Sequence, residues 1–206
     1  MKIEEQRVLV VGTGISGIAA AELLLKKGAE VTIFDGNKDL DTAKLYEKSP
    51  ALREVPLILG ELTEAEMDGF GVAVLSPGVP TDLPMVNAMR DKGIAIWGEI
   101  ELAYYFGRGD VIAITGTNGK TTTTALTGAI MKSVYSDVKI VGNIGIPYTS
   151  VAADTTDETV TVAEISSFQL ETTHAFAPKV SAILNITPDH LNRHHTMEEY
   201  IRVKEL

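Results

Sequence analysis

Apolar residues occur along this chain in two patterns: short unbroken blocks rich in Val, Ile and Leu, and longer stretches in which they return every three or four positions. The first pattern predicts strands buried on both faces, the second amphipathic helices. Residues 7–11 form such a block, a helical pattern runs from the glycines at 12, 14 and 17 to about residue 27, and residues 31–34 form the next block. Gly28 is placed to end that helix. Blocks at 56–59, 72–75 and 94–97 follow, with helical patterns at 43–48 and 85–92 between them. Residues 98–105 read as a short connecting helix, and Gly107-Arg108-Gly109-Asp110 as a polar break.

The alternation restarts after that break. Residues 111–114 predict a strand, 121 to about 131 a helix, and 138–141, 159–163 and 180–186 three further strands. Thr196, with Glu199 three residues on, predicts a capping box that starts a helix towards Leu206. Residues 154–158, acidic and polar, read as a surface loop. Strands alternating with helices imply parallel sheets. The expected fold is therefore α/β: a Rossmann-like parallel-sheet domain over residues 1–105, then a P-loop ATPase-type α/β domain over residues 106–206, incomplete at its C-terminal side.

Composition narrows the partners. With 18 basic against 28 acidic side chains in 206 residues, the net charge is −10, which opposes a broad nucleic-acid or anionic-membrane surface. An anionic small substrate must then be held by local features. The chain has no cysteine, which excludes disulfides, thiolate metal sites and a cysteine nucleophile. No apolar block reaches the length of a membrane span, and the acidic N-terminus lacks the form of a signal peptide, so a cytoplasmic location is expected.

Two glycine loops carry the chemistry. Gly12, Gly14 and Gly17 stand between a strand and a helix, with Asp35 at the end of the next strand, the arrangement of a dinucleotide site. Its physical content is broader, because a helix N-terminus approached closely through glycines holds any diphosphate. Ser76-Pro77-Gly78 follows another strand at the end where open α/β sheets bind ligands. The second loop is Gly116-Thr117-Asn118-Gly119-Lys120-Thr121. Its backbone N–H groups and helix N-terminus can cradle a triphosphate, Lys120 can reach the β/γ-phosphates, and the Thr121 hydroxyl can ligate Mg²⁺. Glu164, at a strand tip, is a candidate for the rest of that Mg²⁺ sphere. Three of the four histidines lie in residues 190–195; without cysteine, a zinc site is the poorer reading of them.

The spacing of the second loop departs from the common P-loop, which has four residues between its first glycine and Gly-Lys. Thr115-Gly116-Thr117-Asn118-Gly119-Lys120-Thr121 resembles the nucleotide loop of the Mur ligases. Several further segments resemble that family in the same order: Ser76-Pro77-Gly78, Gly142-Asn143-Ile144-Gly145, Glu164 followed by Ser166-Ser167-Phe168-Gln169-Leu170, Asn185-Ile186-Thr187-Pro188-Asp189-His190-Leu191, and Met197-Glu198-Glu199-Tyr200 with Lys204.

The resemblance, strongest to the branch that adds D-glutamate, implies an ATP-dependent ligase of peptidoglycan precursor synthesis in the bacterial cytoplasm. Its substrates would be UDP-N-acetylmuramoyl-L-alanine, ATP and D-glutamate, joined through an acyl phosphate, in a monomer. Gly14, Ile15, Ser16, Asp35, Ser76, Gly78, Asn143 and Ser166 would then hold the UDP-substrate, and residues 116–122, including Thr122, would hold ATP. Lys120, His190 and Lys204 would be catalytic, and two Mg²⁺ ions would use Thr121, Glu164, His190 and Lys204, the last as a carbamate formed with CO₂. Asp189 would orient and hydrogen-bond, while His194 and His195 read as polar loop residues. Asn192 stands where many members carry aspartate, which removes a charge near the metal. Members of the family also carry more of the central domain and a third domain, so the chain reads as a piece of a longer protein, unable alone to form the amide. Rival readings are an NAD(P)-dependent oxidoreductase, which leaves the second loop unexplained, and a non-catalytic nucleotide-binding module. Folylpolyglutamate synthetase, a near relative, ordinarily lacks the preceding domain.

Overall fold

A computed structural model describes residues 2–206. Its first half is a parallel sheet of five strands, β1 (Arg7–Val11), β2 (Glu30–Asp35), β3 (Leu57–Leu59), β4 (Phe70–Leu75) and β5 (Ala95–Gly98), in the order β3-β2-β1-β4-β5. The strands are the predicted apolar blocks, and Val8, Leu9, Val10, Val72 and Ala73 are fully buried because helices cover both faces. Helix α1 (Ile15–Lys26) lays Ala20, Ala21, Leu23 and Leu24 on the sheet and ends at Gly28, whose φ is +83°. There the Gly28 and Ala29 N–H groups reach back to the Leu25 and Leu24 carbonyls, closing the last turn as glycine at this position permits. Helices α2 (Thr42–Lys48) and α3 (Pro84–Asp91) complete this half.

Helix α4 (Glu99–Phe106) leads into the second sheet, β6 (Asp110–Thr115), β7 (Val138–Gly142), β8 (Val160–Glu164) and β9 (Val180–Ile183), again parallel, in the order β7-β8-β6-β9. Around it lie α5 (Lys120–Lys132), α6 (Thr149–Ala152), α7 (Ser167–Leu170), α8 (Leu191–His194) and α9 (Met197–Lys204). One continuous core joins the halves: Leu24, Ile100 and Leu102 pack in the same cluster as Val141, Tyr148 and Ile165. The buried Glu99 carboxylate accepts the Thr149 N–H (2.7 Å) and hydroxyl (2.9 Å) from α6, and burial raises its pKa against the pull of those bonds.

Three expectations need correction. The block at 180–186 is a strand only to Ile183, because the following residues turn to hydrogen-bond the second glycine loop. Thr196 caps α9 by accepting the Glu199 N–H, but the Glu199 carboxylate pairs with Arg202 in place of closing the capping box, and α9 ends at Lys204 short of Leu206. The loop at 154–158 is not wholly a surface feature, since Thr155 is buried and its hydroxyl accepts the Arg108 N–H.

Candidate functional site

At the carboxyl ends of β1 and β4, where the first sheet reverses its winding, lies a cleft of about 420 Å³. Gly14, Ile15, Ser16, Ser76, Gly78 and Asn143 all line it. The start of α1 opens into this space, so its free N–H groups face any anion there. Gly12 and Gly17 are required by crowding: a Cβ on Gly17 would meet the Gly12 carbonyl and the Ser76 hydroxyl. That Ser76 hydroxyl is buried and has no hydrogen-bond partner among the described residues, a polar group left for a ligand to satisfy. Ile15, 76% exposed at the cleft wall, offers an apolar platform.

Asp35, also expected to hold the UDP-substrate, is turned towards its own loop. Its carboxylate accepts the Thr13 N–H (2.9 Å), the Thr13 hydroxyl (2.5 Å) and the Asn37 N–H (2.9 Å). Burial raises its pKa, but these bonds outweigh burial and hold it below the usual carboxylate value. In this arrangement Asp35 fixes the glycine loop from behind, and it lies outside the cleft lining.

The second loop leaves β6 through Gly116 (φ +146°) and enters α5 through Gly119 (φ +83°), both left-handed positions. Three residues after β9 hold it. The Asn185 side chain accepts the Asn118 N–H (2.9 Å) and donates to the Asn118 carbonyl (3.0 Å), while the Asn185 carbonyl accepts the Thr117 N–H. The Thr117 hydroxyl donates to the Thr187 carbonyl and lies 3.0 Å from the Tyr200 hydroxyl. Lys120 folds over the loop and donates to the Gly116 and Thr117 carbonyls, each at 2.9 Å. Lys204, 4% exposed, donates to the Gly116 carbonyl and the Thr115 hydroxyl. Burial first, then the Lys120 charge, depress its pKa from 10.5 to about 8, with Asp189 opposing. Both ammonium groups thus donate to neutral oxygens, and neither has an ion pair among the described residues.

Glu164 ends β8 nine-tenths buried or more, at 2% exposure, and accepts the Thr121 hydroxyl (2.9 Å) and the Asn143 amide (2.9 Å). A cleft of about 210 Å³ opens beside it, lined by Gly116, Lys120, Asn143, Ser166, His190 and Lys204, together with Asp189, Phe168 and Tyr200. Ser166 therefore joins this cleft and not the first one, where the adjoining α7 residue Gln169 lies. Asn143 borders both. Thr122 is exposed on the first turn of α5.

His190 caps α8 in a left-handed conformation (φ +53°), with its ring 4.8 Å from that of Phe168. His194 is not an open loop residue. It is 3% exposed, with Nε2 2.9 Å from the Ser167 hydroxyl and Nδ1 3.4 Å from Glu171, and burial lowers its pKa. Although His190 and His194 stand four apart, the spacing of a helical ligand pair, both His194 nitrogens are engaged elsewhere. His195 is exposed near Asp82, and Asn192 is exposed on α8. No group of three or more His, Cys, Asp or Glu side chains suited to a metal occurs among the described residues. A Mg²⁺ ion held by Glu164 and Thr121 would draw its other oxygens from phosphate and water, its usual manner.

Sequence reading missed Tyr200, Asn185 and Arg193. Tyr200 is 1% exposed beneath Lys204 and Thr117. Ser166 and Gln169 form a complete capping box on α7, a signature present in the sequence at the required spacing.

Residues 6–98 match the Mur ligase MurD-like N-terminal domain, and residues 114–206 the Mur ligase middle domain. The UDP-N-acetylmuramoylalanine-D-glutamate ligase of Lachnoclostridium phytofermentans is 54% identical over 97% of this chain and 44% of its own length. That of Lachnospira eligens is 54% identical over 100% of this chain and 45% of its own. The chain thus spans under half the length of the relatives it matches. Among solved structures, the UDP-N-acetylmuramate-alanine ligase of Thermotoga maritima superposes with a TM-score of 0.54 at 22% identity, covering 97% of this chain and 46% of that one, a likeness of fold.

Proposed function

The chain belongs to the Mur ligase family, and from that premise we propose that it supplies the UDP-substrate and ATP-binding parts of a ligase joining D-glutamate to UDP-N-acetylmuramoyl-L-alanine. The observation that carries this reading is Asn143, which borders both the cleft of Gly14 and Ser76 and the cleft of Lys120 and Lys204. A substrate whose diphosphate lies on α1 would bring its far end past Asn143 to the phosphate loop. An oxidoreductase has no use for the second cleft.

Under this reading each group has a distinct task. The α1 N-terminus and Ser76 hold the UDP diphosphate. Lys120 leaves its two carbonyl partners for the triphosphate and offsets the repulsion between triphosphate and attacking carboxylate. Catalysis is then mostly positioning and electrostatics. Glu164 and Thr121 would hold one Mg²⁺; His190 and, as a carbamate, Lys204 would hold a second. Bound Mg²⁺ would neutralise phosphate charge.

Lys204 is further proposed to carry a carbamate. Its buried, pKa-depressed amine is neutral more often than an ordinary lysine; the neutral amine adds CO₂ and releases a proton, giving an anionic oxygen ligand suited to Mg²⁺. Lys204→Arg keeps a cation and cannot react. The expected outcome is loss of the ¹³C-carbamate signal under labelled bicarbonate and about tenfold weaker Mg²⁺-dependent ADP binding. Equal affinity of both forms would count against the carbamate.

The division near residue 106, monomeric state and cytoplasmic location belong to the same proposal. No helix of the described residues is long and apolar enough to cross a membrane. A thermal-shift comparison of UDP-N-acetylmuramoyl-L-alanine, UDP, NAD and folate tests it. The acylated UDP-sugar is expected to stabilise the protein by about 2.7 kcal/mol at 100 times its Kd; stabilisation by NAD alone would overturn the reading.

A further inference from the structure

A largely buried ion pair lies outside both clefts. Arg193 on α8 and Glu171 just after α7 have side chains only 12% and 9% exposed. The Arg193 Nη2 donates to Glu171 (2.6 Å) and to the Val79 carbonyl (3.0 Å), and Nε donates to the same carboxylate (3.1 and 3.2 Å). Val79 belongs to the turn that starts at Ser76, the wall of the first cleft, and its N–H donates to the Ser76 carbonyl. Thr81 in the same segment donates to Glu171 at 3.3 Å. On its other side the guanidinium lies 5.1 Å from the Phe168 ring centre, and Phe168 packs against His190 in the second cleft.

Resting on the functional reading above, we propose that Arg193 is a positioning residue that couples occupancy of the UDP cleft to the placement of His190. The planar fork fixes Val79, Glu171 and Phe168 in one rigid arrangement, so a shift of the Ser76–Val79 turn on binding UDP is carried to the Phe168 and His190 rings. A lysine supplies the charge but neither the second directed bond nor the flat face. Removing one partner of such a buried pair leaves a charge unpaired, so Arg193→Lys is the informative change.

The test measures MgADP affinity with and without saturating UDP, a ligand lacking the acyl-sugar that would bridge the clefts. In the unaltered chain UDP is expected to tighten MgADP binding at least about fivefold, the lower end of ordinary coupling. In Arg193→Lys the factor should fall below about twofold, while each ligand alone still binds. An equal factor in both proteins, or none in the unaltered one, overturns the proposal and leaves the functional reading standing; failure of UDP to bind at all removes both. The unaltered protein supplies a second measurement independent of how the variant folds. UDP must move the His190 ring resonances, and unmoved resonances overturn the proposal.

Discussion

Two ammonium groups share the phosphate loop, neither in an ion pair among the described residues, and Lys204 bears the cost. Its pKa of about 8 lies below the ordinary 10.5 because burial and the Lys120 charge disfavour the protonated form. A base depressed in the folded state is a penalty that is fully present below the folded pKa and gone above the unfolded one. Stability of the ligand-free protein should therefore rise with pH between about 8 and 10.5 on account of this residue. Lys204→Met deletes that titration while keeping the apolar stem. In CO₂-free buffer the variant is expected to be more stable than the unaltered chain below pH 8, with the gap closing towards pH 10.5. Denaturation midpoints across that range measure it, and a gap that does not change with pH would show that Lys204 is solvated as an ordinary lysine.

The phosphate loop is an element shaped by another element. Gly116 and Gly119 give it the backbone it needs, but Asn185, two residues past β9, makes three hydrogen bonds to Thr117 and Asn118. Two of those come from the Asn185 side chain. Asn185→Ala leaves the Asn118 N–H without its acceptor, at a cost of roughly 1–3 kcal/mol where such a group is buried and less at this exposed edge. The larger effect should fall on ligand: ADP affinity is expected to drop about tenfold with the melting temperature changed by only a few degrees. Calorimetric titration beside a melting curve separates the two. This dependence explains what was legible. The strands and α1, α3 and α5 could be read because burial on a sheet leaves a periodic trace in the residues themselves. Residues 184–186 continue the block at 180–183, yet Leu184 and Asn185 hydrogen-bond Thr115, Thr117 and Asn118, nearly 70 positions away, so they read as strand and are not. Helices α6, α7 and α8 have four residues each, too few to show a 3.6-residue period. Lys120, His190 and Lys204, which line one cleft, and Glu164, bonded to Asn143 at its edge, were proposed from their motifs. The burial of His194 and the inward turn of Asp35 depend on Ser167, Glu171 and Thr13, partners that no local pattern names.

Across the whole molecule, α4 decides whether the two sheets behave as one body. Its Glu101 carboxylate is 3% exposed and accepts the N–H groups of His174 (2.9 Å), Ala175 (2.8 Å) and Phe176 (3.1 Å), all from the segment that precedes β9. Glu99 two residues earlier holds α6, and the apolar cluster around Ile100, Leu102 and Tyr148 is common to both halves. Separate unfolding of either sheet would strip half of that cluster and orphan these N–H groups, so unfolding is expected to be a single transition with equal calorimetric and van't Hoff enthalpies. Glu101→Gln tests the linkage with no change of size. Both Glu101 oxygens accept, so a glutamine must point its NH₂ at a backbone N–H, and the variant should lose about 2 kcal/mol. If the shared core is what unites the halves, the variant will melt lower yet still in one step. Two resolved transitions in the unaltered chain would show that the clefts on either side of Asn143 sit on bodies free to move apart, and the alignment that the proposed ligase chemistry needs would then have to come from the ligand.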